Sequence, residues 1–366
     1  MRNNKYSDLK IVGFPEKLES FREGRITAPI YVRVKPINRC NHDCFFCVYA
    51  QSNRKELPAT EQGLDHVVSQ MHEDMNEADV MPTAKMLEVL DDFRDMGVRA
   101  ITFSGGGEPL MHKDIVTFMQ RTLEYGIDLS IITNGQLLRG ERANMLAHAK
   151  WVRVSVDYTS AQQMALSRRV PERMFNDVID NLRTFSAIKD ADCDLAINYI
   201  IHRENYKGLV PFTRLLKEAG VDNVRFSPMW IPDFLRYHEP IKDDVNNQLR
   251  EAQSLVDENF SVNSTFDLNS NAHSPERAYT RCYFMQTVPV VGADQKVYAC
   301  HNKAYDHTGC IGSISDKSFK ELWFSPEAKQ FFETLNPKCS CCHQCANDSK
   351  NKHIMNLLGT SYDNFV

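Results

Sequence analysis

The 366-residue sequence predicts an α/β chain built on a parallel sheet or partial barrel, and two observations carry that expectation. Six short β-branched or aromatic runs alternate with helical patterns over residues 29 to 230, as repeated strand-helix units require. Glycine then stands between helix and strand at Gly97, Gly126 and Gly220, where a left-handed residue closes a helix. Right-handed crossovers would lay the six strands parallel. A third observation sets the end of the chain apart: seven of the eleven cysteines fall after residue 281, in a small cysteine-rich extension.

In order, residues 1–28 are a polar lead-in without a signal peptide's apolar run. Pro29-Ile30-Tyr31-Val32-Arg33-Val34 reads as the first strand, and the charged stretch from Gln51 to Val80 as a loop or short helix over its end. Leu87, Leu90 and Phe93 share one face of a helix over Lys85 to Met96, which feeds a strand at Ala100 to Ser104. Ile115, Phe118, Met119 and Thr122 form the next apolar face, before a strand at Leu129 to Thr133. Strands follow at Trp151 to Val156, Leu195 to Ile201 and Val224 to Ser227, with a helix around Phe175 to Phe185. Residues 29–235 make this first domain. Residues 236–280 form a linker, with a polar helix near Asp243 to Leu255 and an Asn- and Ser-rich loop from Asn259 to His273. The extension spans 281–346, and 347–366 is a terminal tail whose closing segment from Gly359 frays by default.

A formal net charge of -5 gives no long-range pull toward nucleic acid, and no stretch is long and apolar enough to span a bilayer. The chain is therefore expected in the cytoplasm, with neither nucleic acid nor membrane as partner. Eleven cysteines in such a compartment point to metal rather than to disulfides.

Two motifs carry the chemistry. Cys40, Cys44 and Cys47 lie on the loop leaving the first strand, at the carboxyl edge where parallel α/β folds place their sites. Three thiolates suit iron or zinc and leave a coordination position open. A partial zinc site is the plainer alternative. The run Ser104-Gly105-Gly106-Gly107-Glu108 follows the second strand, where three glycines let backbone approach a ligand and Glu108 offers a carboxylate to a cation such as an ammonium. A tight turn would account for the glycines equally well.

Together the two motifs resemble the radical S-adenosylmethionine (radical SAM) superfamily. The resemblance implies a partial (β/α)6 TIM barrel in which Cys40, Cys44 and Cys47 hold a [4Fe-4S] cluster and S-adenosylmethionine chelates the fourth iron. It also implies that Gly106, Gly107 and Glu108 receive the methionine amino group, and that Phe46 lies beside the adenine. Ser155 and Asp157, at the end of the fourth strand, would contact the ribose or carboxylate, and Arg168 or Arg169 would bind the carboxylate, Ser155 ranking above either. Thr133-Asn134-Gly135 looks like a structural turn, and Asn198 is either a site amide or a core one. The family's chemistry is reductive cleavage of the sulfonium to a 5′-deoxyadenosyl radical, which takes a hydrogen atom from the substrate.

In the extension, Val288 to Cys300 reads as a β-hairpin around Gly292-Ala293-Asp294, with cysteines at its base. With the dense run Cys339 to Cys345 it can build a four-thiolate site, for zinc or for iron and sulfide. The resemblance here is to the SPASM/twitch extension, though Gln295 occupies the position of its usual glycine. It implies a second, auxiliary [4Fe-4S] cluster on Cys282, Cys300, Cys342 and Cys345, with Cys339 as substitute ligand. Cys193, Cys310 and Cys341 are set aside as buried or spare thiols, and His301 and His343 are alternatives for zinc.

An auxiliary cluster fully ligated by cysteine can accept an electron. The expectation is therefore a dehydrogenase acting on a small molecule, a sugar or nucleotide-sugar, and reduced by flavodoxin or ferredoxin. Epimerisation or decarboxylation with Cys193 or Cys310 as hydrogen donor is a second reading, peptide modification a third, and a non-catalytic zinc regulator a fourth.

Overall fold

The computed structural model describes residues 7–49, 72, 74–231, 234–268, 276–341 and 345–360. Within them ten strands form one sheet. They are β1 Tyr31–Val34, β2 Ala100–Phe103, β3 Asp128–Thr133, β4 Trp151–Ser155, β5 Asp194–Ile201, β6 Asn223–Pro228, β7 Ser261–Ser264, β8 Val290–Val291, β9 Lys296–Tyr298 and β10 Cys310–Ser313. The order is β10-β9-β8-β1-β2-β3-β4-β5-β6-β7, so the sheet is open rather than closed on itself. Neighbours from β1 to β7 run parallel, β8 is parallel to β1, and β9 and β10 are antiparallel.

The six expected strands are all present, within one or two residues of their predicted bounds. Two details differ. β7 falls inside the stretch read as an Asn- and Ser-rich loop, because its only large apolar side chain, Val262, gives no alternation to detect; pairing with β6 makes it a strand. In the helix Thr83–Met96 the buried face is Met86, Val89, Leu90 and Phe93, and Leu87 is only half-buried, so the apolar stripe is turned by one residue.

Side-chain parity divides the sheet into two faces. Val32, Val34, Ile101, Phe103, Leu129, Ile131, Val152, Val154, Val224 and Phe226 are fully or almost fully buried under the helices. The alternate residues, including Tyr31, Arg33, Thr102, Ser130, Arg153, Asn198 and Arg225, line the other, inner face, which is largely polar. A hydrogen-bond chain crosses it from Tyr31 Oη to Thr102 Oγ1 at 2.8 Å and on to Ser130 Oγ at 2.6 Å.

The extension does not stand apart from this sheet. The Arg33 N–H donates to Pro289 O at 3.0 Å and the Lys35 N–H to Val291 O at 2.8 Å, so the hairpin extends the sheet past β1. Val291, Val297, Phe319 and Trp323 belong to the same apolar core as the barrel strands, and the Phe93 and Phe319 rings meet edge to face at 4.9 Å. Gln295, in the place of the expected glycine, takes the left-handed conformation with φ 58°.

Candidate active site

The loop after β1 is held on several sides before any ligand is considered. Ile37 bridges Val80, the Asp43 N–H donates to Arg168 O at 3.0 Å, the Phe45 N–H to Ser167 O at 3.2 Å, and the Cys47 N–H to Cys44 O at 3.0 Å. The glycine turn after β2 locks onto the same loop: the Gly107 N–H donates to Ile37 O and the Glu108 N–H to Arg39 O, both at 3.0 Å. A Cβ on Gly106 would lie 2.1 Å from Asn38 Oδ1, and one on Gly107 would lie 2.0 Å from Arg39 O. These two glycines therefore admit the cysteine loop itself. The sequence had given them to the approach of a ligand.

Glu108 is buried between the ends of β2 and β3. The Thr133 hydroxyl donates to Oε1 at 2.6 Å, the Leu110 N–H to Oε1 at 3.1 Å, and the Asn134 N–H to Oε2 at 2.7 Å. Burial nevertheless pushes its pKa up to about 7. Asn134 reaches the cysteine loop as well, its Nδ2 donating to Asn41 Oδ1 at 2.7 Å. The Thr133-Asn134-Gly135 turn thus fixes both motifs against each other.

Arg168 ends the helix Ala161–Arg168, and its side chain is 5% exposed. Its Nε donates to Asp157 Oδ1 at 3.0 Å, Nη2 to the Ser155 carbonyl at 3.2 Å, and Nη1 to Cys44 Sγ at 3.1 Å. Asp157, Ser155, Arg168 and Cys44 are therefore brought together, the arginine facing an aspartate and a thiol and Ser155 contributing its carbonyl. The Phe46 ring lies 5.2 Å from the Arg168 guanidinium carbon. Arg169, the alternative in the sequence, pairs with Asp43 at 3.3 Å at the surface. Asn198 lies half-buried on the inner face beside Ser155.

The chemistry of this donor set fits a metal cluster. Burial pushes the Cys40 thiol up to about 12 and Cys44 higher still, while the charge of Arg168 opposes both. Ligation needs thiolates, so cluster binding here would release protons against a cation already in place. Buried polar atoms without a hydrogen-bond partner also collect around the loop: both His42 ring nitrogens, Ser104 Oγ, Asp157 Oδ2, Tyr158 Oη, Ser167 Oγ and His202 Nε2. Burial, reinforced by Arg168, lowers His42 and His202 to about 3, so both rings are neutral. Among the described residues no three His, Cys, Asp or Glu side chains converge on a single metal ion.

In the extension, burial raises the Cys282 thiol and pushes Cys300 up to about 12, with further contributions from one another's neighbours Cys341 and Cys345. Cys345 and Cys341, the latter set aside in the sequence, both add to the rise at Cys282 and Cys300, while no three of the described cysteines converge as ligands of a single metal ion. Cys342 and His343 lie outside the described residues. Cys339 is exposed, and its sulfur accepts from Asn336 Nδ2 at 3.5 Å. Cys193 is 1% exposed in the core under the helices, its thiol donating to Leu146 O at 3.8 Å, so it is no donor to the inner face. Cys310 packs with Tyr49, Tyr298 and Tyr305.

One chain of groups escaped the sequence. Lys35, fully buried at the end of β1, donates to Tyr49 Oη at 2.7 Å and to Gly105 O at 2.9 Å, and Tyr49 Oη lies 3.4 Å from His301 Nε2. It links the segment after Cys47 to the segment after Cys300. Its only trace in the sequence is that Lys35 continues the period of Tyr31 and Arg33.

A family model for the radical SAM superfamily matches residues 34–216, and one described as an iron-sulfur cluster-binding domain, SPASM, matches 282–346. A probable GTP 3′,8-cyclase from Sulfolobus acidocaldarius is 23% identical over 231 residues, 62% of this chain and 65% of that one. A PqqA peptide cyclase from Bradyrhizobium diazoefficiens is 24% identical over 230 residues, 63% of this chain and 54% of that one. The match thus spans less than two thirds of either relative. Among solved structures, Streptococcus suis SuiB bound to S-adenosylmethionine superposes with a TM-score of 0.64 at 16% identity, covering 95% of this chain and 79% of that one. Native anSMEcpe with bound AdoMet gives 0.58 at 16% identity, covering 91% and 100%. Among the described residues no helix is long and apolar enough to cross a membrane.

Proposed function

The chain belongs to the radical SAM superfamily and carries a SPASM iron-sulfur domain, and from that premise we propose that it is an oxidoreductase: it removes a hydrogen atom from a small molecule and passes an electron of the resulting radical to the extension. When bound, the cluster and S-adenosylmethionine supply the carbon-centred radical that takes the hydrogen atom. Cys40, Cys44 and Cys47 would hold that cluster, Gly106, Gly107 and Glu108 the methionine end of S-adenosylmethionine, and Phe46 its adenine. Arg168, paired with Asp157 and donating to Cys44, stabilises a thiolate at this position. The interlocked loop and glycine turn fix the cysteines in place at the edge of the face where a radical must survive.

The observation that supports the oxidoreductase reading is the iron-sulfur domain match over residues 282–346, which carries Cys282, Cys300, Cys341 and Cys345 on an extension that continues the same sheet. One auxiliary [4Fe-4S] cluster held there is an electron acceptor, and flavodoxin or ferredoxin would reduce the first cluster. We place the enzyme in the cytoplasm. The test uses anaerobically reconstituted protein. A Cys282→Ser variant is expected to keep forming 5′-deoxyadenosine while losing the two-electron-oxidised product. Product at the wild-type ratio to 5′-deoxyadenosine in that variant would overturn electron transfer through the extension.

Similarity to a PqqA peptide cyclase supports a second reading, in which the substrate is a peptide. A short peptide that becomes cross-linked or dehydrogenated, with small molecules inert, would favour it.

A further inference from the structure

We propose that Asn351 is a positioning residue for the metal site of the extension: it fixes Cys282 against the helix that begins just after Cys345. The proposal rests on the reading that the extension holds an iron-sulfur cluster. It adds to that site a helix beyond the matched domain, which ends at residue 346.

Of residues 347–366, read from the sequence as a terminal tail, Asp348–Gly359 form a helix in which Asp348, Asn351 and Ile354 are buried. Asn351, 1% exposed, reaches back 70 residues to the segment of Cys282. Its Nδ2 donates to Arg281 O at 3.0 Å, and its Oδ1 accepts from the Tyr283 N–H at 2.8 Å and the Phe284 N–H at 3.3 Å. The Arg281 carbonyl belongs to the peptide plane before Cys282, and the Tyr283 N–H to the plane after it. Peptide planes are rigid and a residue turns only about its own φ and ψ, so holding both planes holds the Cα–Cβ direction of Cys282. Rotation about that one bond is left to place the sulfur.

The start of the same helix is tied to Cys345, because the Asp348 N–H donates to Cys345 O at 3.1 Å. Asp348 also holds the chain ahead of Cys282: Tyr279 Oη donates to its Oδ1 at 3.0 Å, and Arg277 and Lys352 pair with it at 3.5 and 2.6 Å. One helix therefore grips the segment of Cys282 at Tyr279 and at Tyr283 while its first turn fixes the backbone of Cys345. A second layer keeps the helix in place. Ile354 packs with Leu18 and Phe21 of the helix Pro15–Arg22, the Phe21 ring lies 5.2 Å from that of Tyr283, and Arg22 Nη2 donates to Leu357 O at 3.1 Å.

The geometry asks for an amide at position 351. A carboxylate would accept from both N–H groups but face the Arg281 carbonyl without a donor, and an alkyl side chain would leave all three backbone groups unpaired. Groups that orient a metal ligand without touching the metal change its affinity by about 10–100-fold when they are lost.

The test measures iron per chain and the rate of iron release to a ferrous chelator in anaerobically reconstituted full-length protein. EPR spectra of reduced samples are taken with and without S-adenosylmethionine. Wild type is expected to hold about eight irons, as two cuboidal clusters require. Asn351→Leu should release about four of them at least tenfold faster than wild type, and the EPR signal that S-adenosylmethionine leaves unchanged should lose intensity. Asn351→Asp, which keeps the acceptor and loses the donor, should fall between the two. Ile354→Ala weakens the packing of the same helix but leaves the amide in place, and should release iron at the wild-type rate. Release from Asn351→Leu at the wild-type rate, or equally fast release from Ile354→Ala, overturns the proposal. Cys282→Ser separates that result from failure of the underlying reading: if this variant keeps its iron as wild type does, the extension holds no cluster through Cys282 and both fall.

Discussion

The two groups of cysteines are built in opposite ways. Cys40, Cys44 and Cys47 come from one loop whose shape is fixed by backbone hydrogen bonds to Ser167 and Arg168, by close packing of Gly106 and Gly107, and by a buried guanidinium on Cys44. Cys282, Cys300, Cys341 and Cys345 come from separate segments of the extension, spread from just before the hairpin to beyond the helices that follow it. The first is a preorganised socket and the second an assembly point. Preorganisation of the first suits a group that must hold S-adenosylmethionine in one pose, whereas under the function proposed above the second needs only to accept an electron.

The largest effect that can break this contrast is removal of one group alone. A Cys40, Cys44, Cys47→Ala triple variant should form no 5′-deoxyadenosine and keep about four of about eight irons per chain, as two cuboidal clusters require. Loss of all iron and sulfide would show that the groups are interdependent. A smaller effect probes the strain of the socket. Glu108, raised from 4.5 to about 7 by burial, is harder to ionise folded than unfolded. Its contribution to stability is therefore full below pH 4.5 and falls as pH climbs to about 7, by about 3 kcal/mol in the metal-free protein. Urea melts across that window should show the decline, and Glu108→Gln should flatten it; an unchanged slope in the variant would assign the decline elsewhere. The smallest concerns the extension, where Gln295 has φ 58°. Gln295→Gly should raise stability by about 1 kcal/mol by relieving left-handed strain. A thermal melt that does not move would mean that the hairpin makes up that cost through its contacts.

The socket was legible in the sequence because its ligands lie within eight residues of one another and its glycines are contiguous. What the glycines touch was not legible, since a local run cannot show that Asn38 and Arg39 pack on it. Arg168 was found by position, but its partners, 11 residues away at Asp157 and 124 away at Cys44, are set by the fold. The strands under the helices announced themselves through Val, Ile and Phe; β7, with Val262 alone, did not. Lys35 was missed because its place in the period of Tyr31 and Arg33 shows which face it takes but not that Tyr49 and Gly105 close over it.

The pairing of β8 with β1 also sets a timetable for synthesis. β1 is among the first strands to emerge, and β2 soon covers one of its edges, but its other edge waits for Pro289, Val290 and Val291. At about 5–20 residues per second, the 257 residues from Arg33 to Val290 (290 minus 33) take roughly 13–50 s to make. For that interval the nascent chain carries a bare strand edge beside three reactive thiols, which is the period when chaperones and the cluster-loading machinery have the most to protect.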